Sequence, residues 1–82
     1  MKSIHSNSYR YLLALLIECR KLKGVTQQQQ QLSQKLDRPQ SYVSKYERGE
    51  RRLDVIEFLE VCRHLETDAY ELLRTLENPP TS

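Results

Sequence analysis

The sequence TQQQQQLSQKLDRPQSYVSKYERG, which occupies residues 26–49, decides the fold of this chain. Helical spacing places Leu32 and Leu36 on one face of a first short helix. The same spacing places Val43 and Tyr46 on one face of a second short helix. The stretch therefore predicts two amphipathic helices in close succession.

Between the two apolar pairs, Asp37, Arg38 and Pro39 interrupt the helical pattern. Pro39 disfavours a helical Arg38 and suits the first turn of a new helix, because proline has no N–H to lose there. We therefore predict helices over about residues 28–36 and 40–48. Two helices joined by so short a connector can bury both of their apolar faces only if they cross at a steep angle. This is the helix-turn-helix arrangement.

Three more helices are predicted around this pair. One polar residue among positions 6–8 caps a first helix, which Gly24 ends. Capping-box patterns open a fourth and a fifth helix at Asp54 with Glu57 and at Asp68 with Glu71. The apolar positions expected to face inward are Leu12, Leu13, Leu16 and Cys19, with Leu22 as a further candidate, and then Val55 or Ile56, Phe58, Leu59, Cys62 and Leu65. No segment alternates for long enough to form a strand, so the predicted class is all-α with five helices.

The 82 residues suffice for one domain. We expect a mobile N-terminus over residues 1–8, the helical domain over 9–76 and a loose tail over 77–82. The net charge is +2, but residues 1–52 carry +7 and residues 53–82 carry −5. Such asymmetry is expected when one face meets a polyanion, although solvated charges distributed by chance are an alternative.

The sequence predicts a protein without catalytic, metal or cofactor chemistry. We interpret His5 and His64 as surface residues and Cys19 and Cys62 as small buried hydrophobes, and no ligand cluster or phosphate-cradling loop is visible. The longest apolar run, residues 11–17, is seven residues long, far short of a membrane span. The polar N-terminus lacks a secretory signal, so we expect a cytoplasmic protein.

The second helix of the pair predicts a surface suited to DNA. Opposite its apolar face lie Gln40, Ser41, Ser44 and Lys45. Glutamine can pair with adenine, serine with either base type and lysine with guanine or phosphate. Tyr42 could touch a thymine methyl, and Arg48, Arg51 and Arg52 are placed for phosphates. Ordinary polarity at a helix N-terminus is the alternative interpretation of Gln40 and Ser41.

Four motifs together resemble the Cro and Xre type of helix-turn-helix repressor. They are RKLKGVTQ at residues 20–27, LSQKL at 32–36, QSYVSKYERG at 40–49 and RRLD at 51–54. The resemblance covers about residues 9–76 and implies a five-helix bundle of the lambda-repressor-like type.

The resemblance also implies residue roles. Gln40, Ser41 and Lys45 fall at base-reading positions, and Arg20 and Glu47 match a pair that ties helix one to the end of helix three. A first-turn glutamine of helix two and Arg48 fall at phosphate-contacting positions. Our candidates for phosphate contact are Gln27, Gln29, Arg38, Arg48, Arg51 and Arg52.

Three departures from the family pattern stand out. The glutamine tract is two residues longer than the family spacing, which leaves Gln27 or Gln29 as the phosphate-facing glutamine. Asp37 replaces a glycine in the turn, and aspartate tolerates left-handed backbone better than most residues. Pro39 replaces a serine cap, which gives up about 1 kcal/mol.

Two functions follow from this sequence. The first is a sequence-specific regulator, acting as a repressor on a palindromic operator, whose homodimer spaces two recognition helices about 34 Å apart. Helix five, with Tyr70, Leu73 and Leu76, is the expected dimer surface. The alternative is a protein-interaction module of the same fold, as an antitoxin binds its toxin. The expected partners are double-stranded DNA and a second copy of the chain. The alternative function adds another protein as partner, and no membrane contact is expected.

Overall fold

Five α-helices make up the chain in the computed structural model, which describes residues 7–24 and 29–78. They are α1 (Asn7–Leu22), α2 (Gln29–Lys35), α3 (Tyr42–Glu47), α4 (Val55–His64) and α5 (Ala69–Glu77). The predicted all-α class with five helices is confirmed. The expectations for residues 1–6, for Gln27 and for 79–82 concern residues outside the described ones.

A single apolar core joins the five helices. The α2 helix packs on α3, α1 packs on both α3 and α5, and α4 packs on α5. The four residues predicted from helical spacing, Leu32, Leu36, Val43 and Tyr46, are all buried. Their main partners in the core are Tyr9, Leu13, Leu16, Phe58, Val61, Cys62, Leu65 and Leu72. Burial of the α3 apolar face against α1 and α2 therefore fixes which face of α3 remains in solvent.

Left-handed residues follow four of the helices. Gly24, Asp37, Gly49 and Glu66 have φ of 83°, 60°, 77° and 54° and follow α1, α2, α3 and α4. After α2, the N–H of Arg38 donates to the carbonyl of Ser33 at 2.9 Å, as in a Schellman motif. The expectation that Asp37 would adopt this conformation is confirmed, and the turn between α2 and α3 is tight as a result.

Acidic caps begin the last two helices. Asp54 and Glu57 form a complete capping box on α4, with N–H to carboxylate distances of 2.8 and 3.0 Å. On α5, the Asp68 carboxylate accepts from the N–H of Glu71 at 3.3 Å, while the Glu71 side chain bonds Arg74 instead. The first predicted capping box is therefore complete and the second is half formed.

Three apolar residues expected inside lie outside. Leu22, Val55 and Ile56 are exposed. Leu22 is two positions after the buried Arg20, and Ile56 is two positions before the buried Phe58. Two residues correspond to about 200° around a helix, so both side chains point away from the core face. Val55 is the first residue of α4.

The α3 helix begins later than predicted. Its first residue is Tyr42 and its N-cap is Ser41, whereas the sequence predicted a start near residue 40. Pro39 lies in the preceding turn, where its carbonyl accepts from the N–H of Tyr42 at 2.9 Å. That turn shortens α3 to six residues.

Candidate nucleic-acid interface

Ser33 holds the N-terminal end of α3. Its hydroxyl accepts a hydrogen bond from the N–H of Val43 at 3.1 Å, and both residues are fully buried. First-turn N–H groups have no acceptor within their own helix, and the Ser41 side chain makes no capping bond here. Ser33 therefore supplies from α2 the cap that the sequence analysis considered lost. That analysis missed Ser33, although a polar residue beside the buried Leu32 is a signal for a buried partner.

Replacing Ser33 with alanine should lower the free energy of unfolding by about 1–3 kcal/mol, because a buried N–H loses its acceptor. Urea unfolding followed by circular dichroism measures this change. Ser41→Ala is the matched control, since its exposed side chain forms no capping bond and its loss should change stability far less. Equal effects of the two substitutions would contradict the role given to Ser33.

A buried hydrogen-bonded cluster holds the other end of α3. Arg20 Nε donates to Glu47 Oε2 at 2.6 Å, and a terminal nitrogen of Arg20 donates to Oε1 at 2.9 Å. The Arg20 and Glu47 side chains are only 4% and 5% exposed. Gln29, the first residue of α2, donates its amide to Glu47 Oε1 at 2.7 Å. The contact implied by the family resemblance is thus present, and it joins α1, α2 and α3 at one carboxylate.

The face of α3 opposite the core is polar and accessible. Gln40, Ser41 and Lys45 are exposed and Ser44 is half-buried, with its hydroxyl 3.2 Å from the carbonyl of Ser41. A groove of about 360 Å³ separates this face from the start of α2. Its lining residues are Gln29, Gln30, Gln40, Ser41 and Ser44. The groove offers amide and hydroxyl groups, which suit the edges of bases.

Tyr42 does not belong to this exposed face, which corrects the base-reading role predicted for it. The residue is 5% exposed, and its ring meets Tyr46 edge to face with centroids 5.6 Å apart. Tyr42 precedes Tyr46 by one helical turn, so the two share the core face. The guanidinium groups of Arg38 and Arg51 each lie 5.1 Å from the Tyr42 ring centroid, which closes it off from solvent.

The comparisons with known proteins agree with this geometry. The family model described as helix-turn-helix matches residues 16–72, and a solved structure of an XRE-family like protein from Pseudomonas syringae pv. tomato str. DC3000 is similar. The chain belongs to the XRE-type helix-turn-helix family. The two chains share 52% identity, with a TM-score of 0.81 and coverage of 94% of this chain and 95% of that one. No curated protein matches the sequence. The chain is therefore a DNA-binding regulator of the XRE type with a lambda-repressor-like fold.

In this XRE-family chain, acidic side chains hold three of the arginines predicted to contact phosphate. Arg48 bonds Glu50 at 2.9 Å, with both side chains more than half exposed. Arg38 bonds Glu60 at 2.9 Å. Arg51 lies 2.8 Å from Glu57. The Arg48–Glu50 pair is exposed on both sides and therefore weak, so a phosphate can take the place of the Glu50 carboxylate. Arg52 stacks over the ring of Tyr9 at 4.5 Å.

Glu57 serves as an anchor between α4 and the loop after α3. The hydrogen bonds from Arg51 and from the backbone N–H of Asp54 hold the pKa of its carboxyl below the usual value. Glu57 is buried, whereas Glu50 and Arg48 stand in solvent at the end of α3. Among the three pairs, the Arg48 pair is therefore the one that DNA can exchange with the smallest rearrangement.

Exposed apolar side chains form two further groups in the XRE-family domain, one on α5 and one on α4. On α5, Tyr70 is 69% exposed, Leu73 is partly exposed and Leu76 is half-buried. On α4, Val55 and Ile56 are 71% and 64% exposed, and the sequence analysis did not anticipate this second surface. Large apolar side chains in solvent mark candidate protein contacts.

The Cys62 thiol is poorly reactive. Burial raises the pKa of the Cys62 thiol to about 12, so little thiolate exists at neutral pH. Both cysteines are free, with Cys62 buried and Cys19 partly buried. Across residues 7–24 and 29–78, no three His, Cys, Asp or Glu side chains form a metal-binding group. None of the helices described is long and apolar enough to cross a membrane.

Proposed function

We propose that this chain is a sequence-specific transcriptional repressor that binds a palindromic operator as a homodimer. The observation that carries the proposal is the short α3 helix, held at both ends by buried hydrogen bonds while its polar face remains open. A helix that forms hydrogen bonds with base edges must be positioned to within a fraction of an ångström, and rigid support of this kind suits that requirement. Repression is the role implied by the resemblance to Cro and Xre type repressors. The proposed function involves no catalysis.

The division of roles follows exposure and charge. Gln40, Ser41, Ser44 and Lys45 are proposed to meet bases, since they lie at the accessible side of α3 and of the turn that precedes it. Arg48, with Arg38 in the turn before α3 and Arg51 and Arg52 in the loop after it, is proposed to meet phosphates. Such contacts fix orientation without reading sequence.

Salt dependence tests the proposal. The affinity of the chain for its best genomic fragment should fall as salt rises, with a slope in log–log coordinates of about 0.9 per phosphate neutralised. Arg48→Ala should reduce that slope by about 0.9 per protomer and weaken all sequences alike. Fluorescence anisotropy at several salt concentrations gives both values. Arg63→Ala on α4 is the matched control, because it removes an exposed arginine that belongs neither to α3 nor to the proposed dimer surface.

Two results would count against the regulator. The first is an affinity for DNA that does not change with salt concentration. The second is a competition assay in which no genomic fragment competes better than bulk DNA. Either result would favour the second candidate, a module that binds another protein. The exposed Val55, Ile56 and Tyr70 side chains are the observation that supports this candidate.

A further inference from the structure

The structure gives two neighbouring glutamines of the tract different surroundings. Gln29 is half-buried and its amide is engaged by the carboxylate of Glu47 at 2.7 Å. Gln30 is exposed and lines the groove of about 360 Å³ together with Gln40, Ser41 and Ser44. The sequence analysis considered Gln27 and Gln29 for the DNA-facing position and left Gln30 out.

We infer that Gln30 is a further specificity-determining residue, which reads an adenine in the major groove beside the base read by Gln40. The inference rests on the proposed function. The amide N–H of a glutamine can donate to N7 of adenine while its carbonyl oxygen accepts from the N6 amino group, which gives a bidentate pair. The groove lining is entirely neutral, made of glutamines and serines, so it offers no charge to hold a phosphate. Its chemistry therefore favours a base edge.

The engagement of Gln29 is what makes this assignment possible. If Gln29 released Glu47 to reach DNA, the buried carboxylate would lose one of its three hydrogen bonds. Breaking a bond to a buried charge is costly, whereas Gln30 makes its contact without disturbing the cluster. Gln29 thus acts as a positioning residue for α3, and the reading surface extends from α3 onto the first turn of α2.

Operator selection tests the inference with the full chain. Randomised duplexes are selected with wild type, Gln30→Ala and Gln40→Ala, and single-base variants of the best site are then titrated at one salt concentration. Gln30→Ala should lose about 5- to 150-fold discrimination for adenine at one position. That position should differ from the one lost in Gln40→Ala, and affinity for non-specific DNA should stay unchanged.

Gln34→Ala is the matched control, an exposed glutamine one turn further along α2 that lies outside the groove lining. It should keep the wild-type preferences, and thermal melting should show all variants equally folded. Equal weakening of Gln30→Ala on every sequence, together with a lower salt slope, would mean a phosphate contact and overturn the inference. Unchanged preferences in Gln30→Ala would also overturn it. Failure of the wild type itself to select any sequence would instead overturn the proposed function, and the inference with it.

Discussion

Glu47→Ala is expected to lower the free energy of unfolding by about 3–5 kcal/mol, the usual cost of removing one partner from a buried ion pair. The substitution leaves the 4% exposed guanidinium of Arg20 without this carboxylate and deprives the amide of Gln29 of its acceptor. Domains of this size are stable by only about 5–15 kcal/mol, so the loss is a large share of the total. Urea unfolding at neutral pH measures it.

Glu50→Ala is the control for Glu47→Ala, because it also removes a glutamate paired with an arginine, but at an exposed site. Exposed pairs contribute little, so the unfolding midpoint should barely move. If both substitutions moved the unfolding midpoint equally, the buried Arg20–Glu47 pair would contribute no more to stability than the exposed Arg48–Glu50 pair. At urea concentrations at which the variant remains folded, Glu47→Ala should also reduce discrimination between operator and random DNA. The reason is that α3 loses the hydrogen bonds of Glu47 to α1 and α2.

Tyr70→Asp is expected to convert a homodimer to monomers and to lower affinity for a palindromic site by about 10²–10⁴-fold, the typical gain from linking two binding events. Tyr70 is 69% exposed near the start of α5, so aspartate there places a charge in the proposed interface without disturbing the core. Sedimentation equilibrium gives the oligomeric state, and titration against full and half sites gives the affinities. Binding to a half site should remain unchanged.

Ile56→Asp distinguishes the two exposed apolar surfaces. Ile56 is 64% exposed on α4, so the change is the same in kind and in solvent exposure. If α5 is the dimer surface, this variant should remain dimeric. Dissociation by Ile56→Asp but not by Tyr70→Asp would move the interface to α4. A wild type that stays monomeric on a palindromic site would overturn the homodimer.

The sequence by itself determined the five helices of this protein and the buried face of α2 and α3. Periodic leucines and β-branched or aromatic residues placed Leu32, Leu36, Val43 and Tyr46 inside, because helical spacing is a local property that holds in any packing. The turns were equally local. Asp37 takes a left-handed conformation because the chain must reverse between two helices too close in sequence for a longer connection.

Only the tertiary structure decided which side chains became partners. Ser33 met the N–H of Val43, and Gln29 met Glu47. These outcomes depend on where separate helices come to lie, and spacing along one helix carries no information about that. For the same reason the sequence alone could not distinguish the glutamines of the tract by their surroundings. That distinction required the packing of α2 against α3. The stretch from 26 to 49 therefore fixed two helices and a turn, while the packing of α1, α2 and α3 fixed which of its polar side chains remain open.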